Sequence, residues 1–300
     1  MKPVTNSMDG HVWLLLLSLS LLWGGSFLFV ELALRDYLPL TIVTLRVAIG
    51  ALVLHCVLRI QKLHFPMDLK SIGQFAVMGT LNNAIPFSLI VWGQQSIDAG
   101  RASVLNATMP LFTVLFAHWL LTDEKLSASK ITGVLIGFAG VFVLAGPAAI
   151  SGNSVNSLIG QLAVLGAAIS YAFAGIFGKQ LNRFDPQVSA TGMLTASAVL
   201  MLPFTLVFEP LPSSMPSLLS TVSVVALGVA CTALAYLFYF KILTKAGSSN
   251  LSLVTFLIPP SAIIMGVVFL NERLSFEDYA GVALILVGMA IATGIYKRFV

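Results

Sequence analysis

Charged residues are scarce in this 300-residue sequence, at 9% of the total against roughly 25% in ordinary soluble domains. Hydrophobic residues make up 58%, and the mean hydropathy is +0.96. So few charges cannot cover the surface of a soluble globule of this size, whereas helices that face lipid need no polar cover. The composition therefore excludes an ordinary soluble domain and indicates an integral membrane protein surrounded by lipid.

Cysteines and clusters of metal ligands are lacking as well. The two cysteines, Cys56 and Cys231, lie inside apolar runs, which argues against a disulfide framework and against a zinc site. No pair among the four histidines has the spacing of metal ligands, so we expect neither a metal nor a cofactor. The net charge of +4 forms no basic stripe with interleaved aromatics, so we expect no nucleic-acid partner.

Ten apolar runs follow one another along the chain. A hydrocarbon core about 30 Å thick takes roughly 20 helical residues, and each run approaches that length. The runs fall at 12–31, 40–60, 72–94, 100–121, 128–146, 157–180, 188–208, 217–242, 250–270 and 276–296. The breaks between them are too short for a soluble domain. The sequence thus predicts an all-α integral membrane fold with ten transmembrane helices, helix 1 to helix 10.

Lysine and arginine are distributed unevenly over the two ends of these helices. With the N-terminus in the cytoplasm, the inner segments hold twelve of them, the outer loops hold three, and Arg46 lies within helix 2. Cytoplasmic segments of membrane proteins carry such an excess of basic residues. Both termini are therefore predicted to be cytoplasmic, which agrees with an even number of helices.

The second half of the chain repeats the first. Gly133 and Gly140 in helix 5 recur as Gly281 and Gly288 in helix 10, 148 residues later. We predict two five-helix units, residues 1–148 and residues 149–300, which together form one membrane unit. Because five is an odd number, the two units cross the membrane in opposite directions. Inverted repeats of this kind are typical of secondary transporters whose substrate site lies near the midplane.

Short motifs accompany this repeat. They are Trp23-Gly24-Gly25-Ser26-Phe27, Leu45-Arg46, Pro110 with Asp123-Glu124-Lys125-Leu126, and a second copy at Pro259 with Asn271-Glu272-Arg273-Leu274. In these motifs the chain resembles the drug/metabolite transporter superfamily, in its EamA-type ten-helix branch, over nearly its whole length. The resemblance implies an exporter of small metabolites or drugs in the bacterial cytoplasmic (inner) membrane. The chain departs from the family pattern at Glu31 and at Tyr171-Ala172-Phe173-Ala174, which stands where helix 6 of the family has a tryptophan motif.

Polar residues and prolines share one face of helix 4 and one face of helix 9, at helical spacing. They are Ser103, Asn106 and Pro110 in helix 4 and Ser252, Thr255 and Pro259 in helix 9. Prolines free backbone carbonyls that a cavity can use, so we interpret the two faces as walls of a substrate pocket. The alternative interpretation is helix–helix packing with proline kinks.

Helix 3 offers Asn82, Asn83 and Pro86 within about one turn. Adjacent side chains do not share a face of an α-helix, so we expect at most one of the two asparagines to reach the pocket and the other to bond a neighbouring helix. The rest of the predicted lining lies on helices 1, 6 and 8 and consists of Trp23, Ser26, Tyr171, Tyr236 and Tyr239. Aromatic residues in membrane proteins either stack on a substrate or anchor the helix at the lipid interface.

Arg46 is the only basic residue that lies clearly inside a predicted span and not at one of its ends. A charge within the membrane indicates a function, which here is either contact with a substrate carboxylate or a gate near the outer end of helix 2. A single cation disfavours multiply anionic substrates, because phosphates require several positive groups. We therefore expect small neutral, zwitterionic or cationic substrates such as amino acids, aromatic compounds or drugs.

These features predict a secondary transporter that exports such metabolites by alternating access, with uptake by the same fold as the alternative. A membrane enzyme would need a nucleophile, an acid–base pair or a metal cluster, and the sequence offers no such set. We expect helices 1 to 4 to rock against helices 6 to 9. The glycine-rich helices 5 and 10 would support the bundle or form a dimer face, so the sequence allows a monomer or a homodimer.

Overall fold

Apolar α-helices run through nearly all of the chain in the computed structural model, which describes residues 9–120, 126–150, 155–181, 183–210 and 214–295. We number the helices in chain order: α1 Gly10–Ala33, α2 Pro39–Ile60, α3 Leu69–Gly93, α4 Ala99–Leu120, α5 Ala128–Ile150, α6 Val155–Leu181, α7 Pro186–Phe208, α8 Leu218–Gly247, α9 Val254–Leu270 and α10 Phe276–Thr293. Eight are long and apolar enough to cross a membrane, and α9 and the stretch Ala128–Leu144 of α5 are shorter apolar helices. The predicted all-α architecture is confirmed, and the described residues contain no strand.

Side-chain caps set where several of these helices begin. The Asp68 carboxylate accepts the backbone N–H of Ser71 at 3.0 Å at the start of α3. At the start of α10, Ser275 and Asp278 form a reciprocal capping box, in which each side chain accepts the other residue's backbone N–H. Such caps satisfy N–H groups that have no partner within the helix. The motif containing Glu124 lies outside the described residues.

Two helices contain a π-helical turn. In α3 the turn spans Thr80–Ala84, and in α8 it spans Val229–Leu234, so the two turns begin 149 residues apart. In α3 the wider turn ends two residues before Pro86, whose ring nitrogen cannot donate to the carbonyl four residues earlier. A π turn widens the helix by one residue and so changes which side chains share a face.

The most extensive helix contacts all join a helix from α1–α5 to a helix from α6–α10. Helix α1 packs against α8 and α9, and α6 packs in the same way against α3 and α4, with the halves exchanged. Helices α2 and α7 pack against each other near the centre, and α5 packs against α10. The predicted grouping of helices 1 to 4 against helices 6 to 9 therefore differs from the packing, because α1 contacts α9 more extensively than it contacts α4.

Glycines bring α5 and α10 into backbone contact within one chain. A Cβ atom on Gly288 would lie 2.3 Å from the backbone nitrogen of Gly137, and a Cβ atom on Gly133 would lie 2.3 Å from that of Ala292. Real Cβ atoms do not approach a backbone so closely, so these positions require glycine. The glycine face of α5 is therefore covered by α10, and the glycine face of α10 is covered by α5.

We expect Gly288→Ala to destabilise the protein by about 1–3 kcal/mol, because the added methyl group forces the α5 and α10 backbones apart. Gly175→Ala on α6 is the matched control, since a Cβ atom there meets nothing within 4 Å. Thermal unfolding in detergent compares the two variants. Equal unfolding temperatures for both variants would contradict this account of the α5–α10 contact.

Candidate functional site

A group of polar side chains lies at mid-helix where α2, α3, α7 and α8 meet. We call it the central polar cluster, and it consists of Arg46, Asn82, Asn83, Ser197, Thr232 and Tyr236. Polar groups inside a membrane protein need partners within the protein or in a water-filled cavity. The hydrogen bonds of this cluster join helices from both halves of the chain.

The Tyr236 hydroxyl is the centre of one part of the cluster. It accepts a hydrogen bond from Asn82 Nδ2 at 2.9 Å and donates to Asn83 Oδ1 at 3.3 Å. Both asparagines thus reach one hydroxyl, although adjacent side chains of a regular α-helix point in different directions. The reason is the π turn at Thr80–Ala84, which contains both residues and places them closer in direction than an α-helix does.

Asn83 also anchors α3 to α7. Its Nδ2 donates to the Ser197 hydroxyl at 3.2 Å, and both side chains are fully buried. The Ser197 hydroxyl in turn bonds to the carbonyl of Met193. Gly79 permits the close approach, because a Cβ atom there would lie 2.4 Å from the Met193 carbonyl oxygen. Asn83 is therefore a packing residue as well as a site residue, while Asn82 is partly exposed.

Arg46 forms the other part of the cluster. Its guanidinium donates from Nε to the Thr232 hydroxyl at 3.0 Å, and its central carbon lies 3.8 Å from the centre of the Phe87 ring. The Thr232 hydroxyl donates to the Leu227 carbonyl, so it is an acceptor towards Arg46. The residue is 6% exposed. This environment differs from the predicted alternative of a side chain that extends to the outer end of the helix.

The other aromatic residues of the prediction lie near this cluster on α1, α6 and α8. The Trp23 and Tyr239 rings are 5.8 Å apart, and the Tyr239 ring lies edge-on to that of Tyr236 at 6.5 Å. Tyr171 is among the ionisable groups close to Arg46. The Ser26 hydroxyl bonds to the carbonyl of Trp23 within its own helix, which leaves it a local role.

Residues predicted on helices 4 and 9 are spread more widely. The Ser103 hydroxyl is buried and bonds to the carbonyl of Gly100 in the same helix. Asn106 Oδ1 is buried without a hydrogen-bond partner, next to the interruption of α4 at Ala107 and Thr108. Pro110 follows that interruption, since it cannot donate to the Asn106 carbonyl. Of the remaining predicted residues, Pro86 and Pro259 are buried, Thr255 is half-buried and Ser252 is exposed.

Sequence reasoning missed Thr232, Phe87 and Ser197. The internal repeat contained a signal for two of them. An offset of 149 residues relates Asn83 to Thr232 and Phe87 to Tyr236, and these four residues lie on or just after the two π turns. The bond from Arg46 on α2 to α8 therefore resembles the bond between Ser197 on α7 and α3, with the halves exchanged.

Carboxylates tie the two halves together at one end of the bundle, which we call the acidic end. Its acidic residues are Glu31, Asp36, Asp98, Glu209, Glu272, Glu277 and Asp278. The Glu272 oxygens accept the N–H groups of Ala99 and Gly100 at 2.7 and 3.1 Å, and so cap α4. Burial raises the pKa of the Glu272 carboxyl, and the two N–H donors partly offset that rise.

Further contacts close the same end. Arg101 on α4 pairs with Asp278 on α10 at 2.7 Å. Gln94 donates to the Phe27 carbonyl at 2.9 Å, which joins α3 to α1. Glu31, for which the sequence offered no interpretation, has a buried Oε2 without a partner.

Among the described residues, no group of three or more histidine, cysteine or acidic side chains could hold a metal ion.

Comparisons with known proteins agree on one family. The family model described as the EamA-like transporter family matches residues 10–146 and again residues 158–294. YoaV of Bacillus subtilis, named as an uncharacterized transporter, is 28% identical over 96% of this chain and 98% of its own length. YedA of Escherichia coli K12, named as an uncharacterized inner membrane transporter, is 24% identical over 93% of this chain and 89% of its own length. One crystal structure covers 96% of this chain and 99% of its own with a TM-score of 0.68, and its 23% identity makes this a likeness of fold alone.

Proposed function

The chain belongs to the EamA-like transporter family and is a multi-pass membrane transporter, not an enzyme, and from that premise we propose that it exports small neutral, zwitterionic or cationic metabolites by alternating access. We place it in the bacterial cytoplasmic membrane, as the name of YedA suggests. The observation that carries the proposal is the central polar cluster. It lies at mid-helix between the halves, where transporters with inverted repeats bind their substrates.

The proposed architecture is two inverted five-helix units, residues 1–148 and 149–300, with both termini in the cytoplasm. Three observations support it. The family model matches the chain twice at a distance of 148 residues. The two π turns begin 149 residues apart, and α1 and α6 pack against equivalent partners. The acidic end would then face outward and the basic loops inward.

The moving groups that we propose follow the packing and not the order of the chain. One group contains α1, α8 and α9, and the other contains α3, α4 and α6, with α2 and α7 between them. Extensively packed helices move together, because close packing resists continuous deformation. At the acidic end, the bonds of Glu272 to the start of α4 and of Gln94 to the Phe27 carbonyl join the two groups, so they would break when the site opens outward. A homodimer through α5 and α10 would have to use faces other than their glycines.

The first experiment is flux of labelled amino acids in proteoliposomes that contain the wild type, Asn82→Ala or Asn106→Ala. We expect saturable flux in the wild type and a loss of about tenfold in each variant, since each removes an inward polar group. Thr132→Val is the control, because the exposed Thr132 hydroxyl bonds only to its own helix. Flux that is unaffected by Asn82→Ala and Asn106→Ala would agree with the proposed transport function but contradict the proposed pocket. Comparison of the two orientations of the protein in the vesicles separates export from uptake.

A further inference from the structure

Arg46 carries a positive charge deep inside the bundle. The guanidinium is protonated under all physiological conditions, and the residue is 6% exposed at mid-helix. An ion in that position requires either a counter-ion or several strong hydrogen bonds. The surroundings of the guanidinium therefore show whether the protein itself supplies that counter-ion or those hydrogen bonds.

The protein supplies no counter-ion among its described residues. The ionisable groups near the guanidinium are the phenols of Tyr171 and Tyr236 and the thiol of Cys231, all of which are neutral at physiological pH. The described residues form an ion pair between Arg101 and Asp278, which lies at the acidic end and does not involve Arg46. The Glu209 carboxylate bonds to the start of α2, where its oxygens accept the N–H groups of Leu40 and Thr41.

The hydrogen bonds of Arg46 are incomplete as well. Nε donates to Thr232, and Phe87 covers one face of the guanidinium plane. The two terminal nitrogens donate no hydrogen bond to any described residue. Together they form the fork that binds a carboxylate through two parallel hydrogen bonds. Phe87 and Thr232 hold the plane of this fork in a fixed orientation.

We infer that Arg46 binds the carboxylate of the substrate, which narrows the substrate class to monocarboxylates, anionic or zwitterionic, with an apolar body. The inference rests on the proposed transport function. One guanidinium balances one carboxylate, so dicarboxylates and phosphates carry more charge than the site can neutralise. A cation without a carboxylate would add a second positive charge, and this excludes the simple organic cations that the composition alone allowed. The apolar body lies against the aromatic side chains of Trp23, Tyr171 and Tyr239.

A set of ligands with one phenyl body tests the charge requirement. The set is 3-phenylpropanoate, phenylalanine, 3-phenylpropanamide and phenethylamine, each assayed for flux in proteoliposomes with the full chain. We expect flux of the two carboxylates and none of the amide or the amine. Arg46→Gln is expected to lower carboxylate flux at least tenfold, and Arg46→Lys to raise KM because it keeps the charge and loses the fork. Equal flux of the amide or the amine, unchanged in Arg46→Gln, would overturn the inference and leave the transporter intact.

A second measurement does not depend on the choice of ligand. Arg46→Met removes a charge without a partner, so in the absence of ligand we expect the unfolding temperature to rise by about 2–4 °C. The comparison is Arg101→Met, which leaves the buried Asp278 carboxylate without its partner and should lower that temperature. A fall in Arg46→Met as large as that in Arg101→Met would show that Arg46 has a structural partner and would overturn the inference. If none of the four compounds is transported, the proposed function fails for substrates with a phenyl body. The unfolding temperatures of Arg46→Met and Arg101→Met still decide the role of Arg46.

Discussion

A disulfide between cysteines placed at Gly100 and Ile263 is expected to reduce transport to the background level, and a reductant is expected to restore it. A Cβ atom on Gly100 would lie 3.5 Å from Cγ1 of Ile263 and 3.8 Å from its Cα. The two Cβ atoms are therefore about 4 Å apart, within the range that disulfides require. The pair joins α4 to α9 near the acidic end.

The loss follows from the proposed moving groups. Helix α4 belongs to the group with α3 and α6, whereas α9 packs against α1. Outward opening has to separate α4 from α9, and a covalent bond prevents that step without touching the central polar cluster. Alternating access requires both the open and the closed state, so a lock in one state stops every turnover. Cys56 is exposed and is replaced by serine in all of these variants.

A second disulfide provides the control. Asp36→Cys with Ser217→Cys joins the loop after α1 to the start of α8, where the wild-type side chains already form a hydrogen bond. Helices α1 and α8 belong to one proposed group, so this crosslink is expected to leave flux near that of the wild type. Full transport by the oxidised Gly100→Cys/Ile263→Cys protein, with the disulfide verified by mass, would contradict the proposed motion.

The sequence predicted the helices well because the membrane leaves few alternatives. Every spanning segment needs about 20 apolar residues and internal hydrogen bonds, so the apolar runs fall on the eight helices that are long enough to cross a membrane and on the two shorter apolar helices among the described residues. The family resemblance was also recognisable from short motifs, because the motif of Pro110 and Asp123-Glu124-Lys125-Leu126 recurs at nearly the same offset as Pro259 and Asn271-Glu272-Arg273-Leu274. The family match confirms it over both halves.

The packing of the helices could not be predicted in the same way. Lipid-facing and buried faces are both apolar, so the sequence did not indicate that α1 packs against α9 more extensively than against α4. The π turns were also missed, because one unpaired carbonyl gives no periodic signal. That local change explains why both Asn82 and Asn83 reach Tyr236, and why Thr232 faces Arg46.

Among single substitutions that keep the shape of a side chain, Tyr236→Phe is expected to have the largest effect. It removes one oxygen and leaves Asn82 Nδ2 and Asn83 Oδ1 with only their long contact to each other, at 3.5 Å, and the contact of Asn82 Nδ2 with the Met193 sulfur. Each unpaired buried polar group costs about 1–3 kcal/mol, so we expect at least a tenfold loss of flux together with a lower unfolding temperature. Proteoliposome flux and thermal unfolding measure the two effects separately.

Tyr279→Phe is the control for Tyr236→Phe. Tyr279 lies on α10, its side chain is 62% exposed, and it is outside the central polar cluster. We expect flux of Tyr279→Phe to stay within about twofold of the wild type, because the change removes a hydroxyl from the outside of the bundle. The double variant Asn82→Ala/Tyr236→Phe should lose less than the product of the two single losses, since both changes remove the same hydrogen bond. Losses that simply multiply would mean that Asn82 and Tyr236 act independently, and the hydrogen bond between them would then have no part in transport.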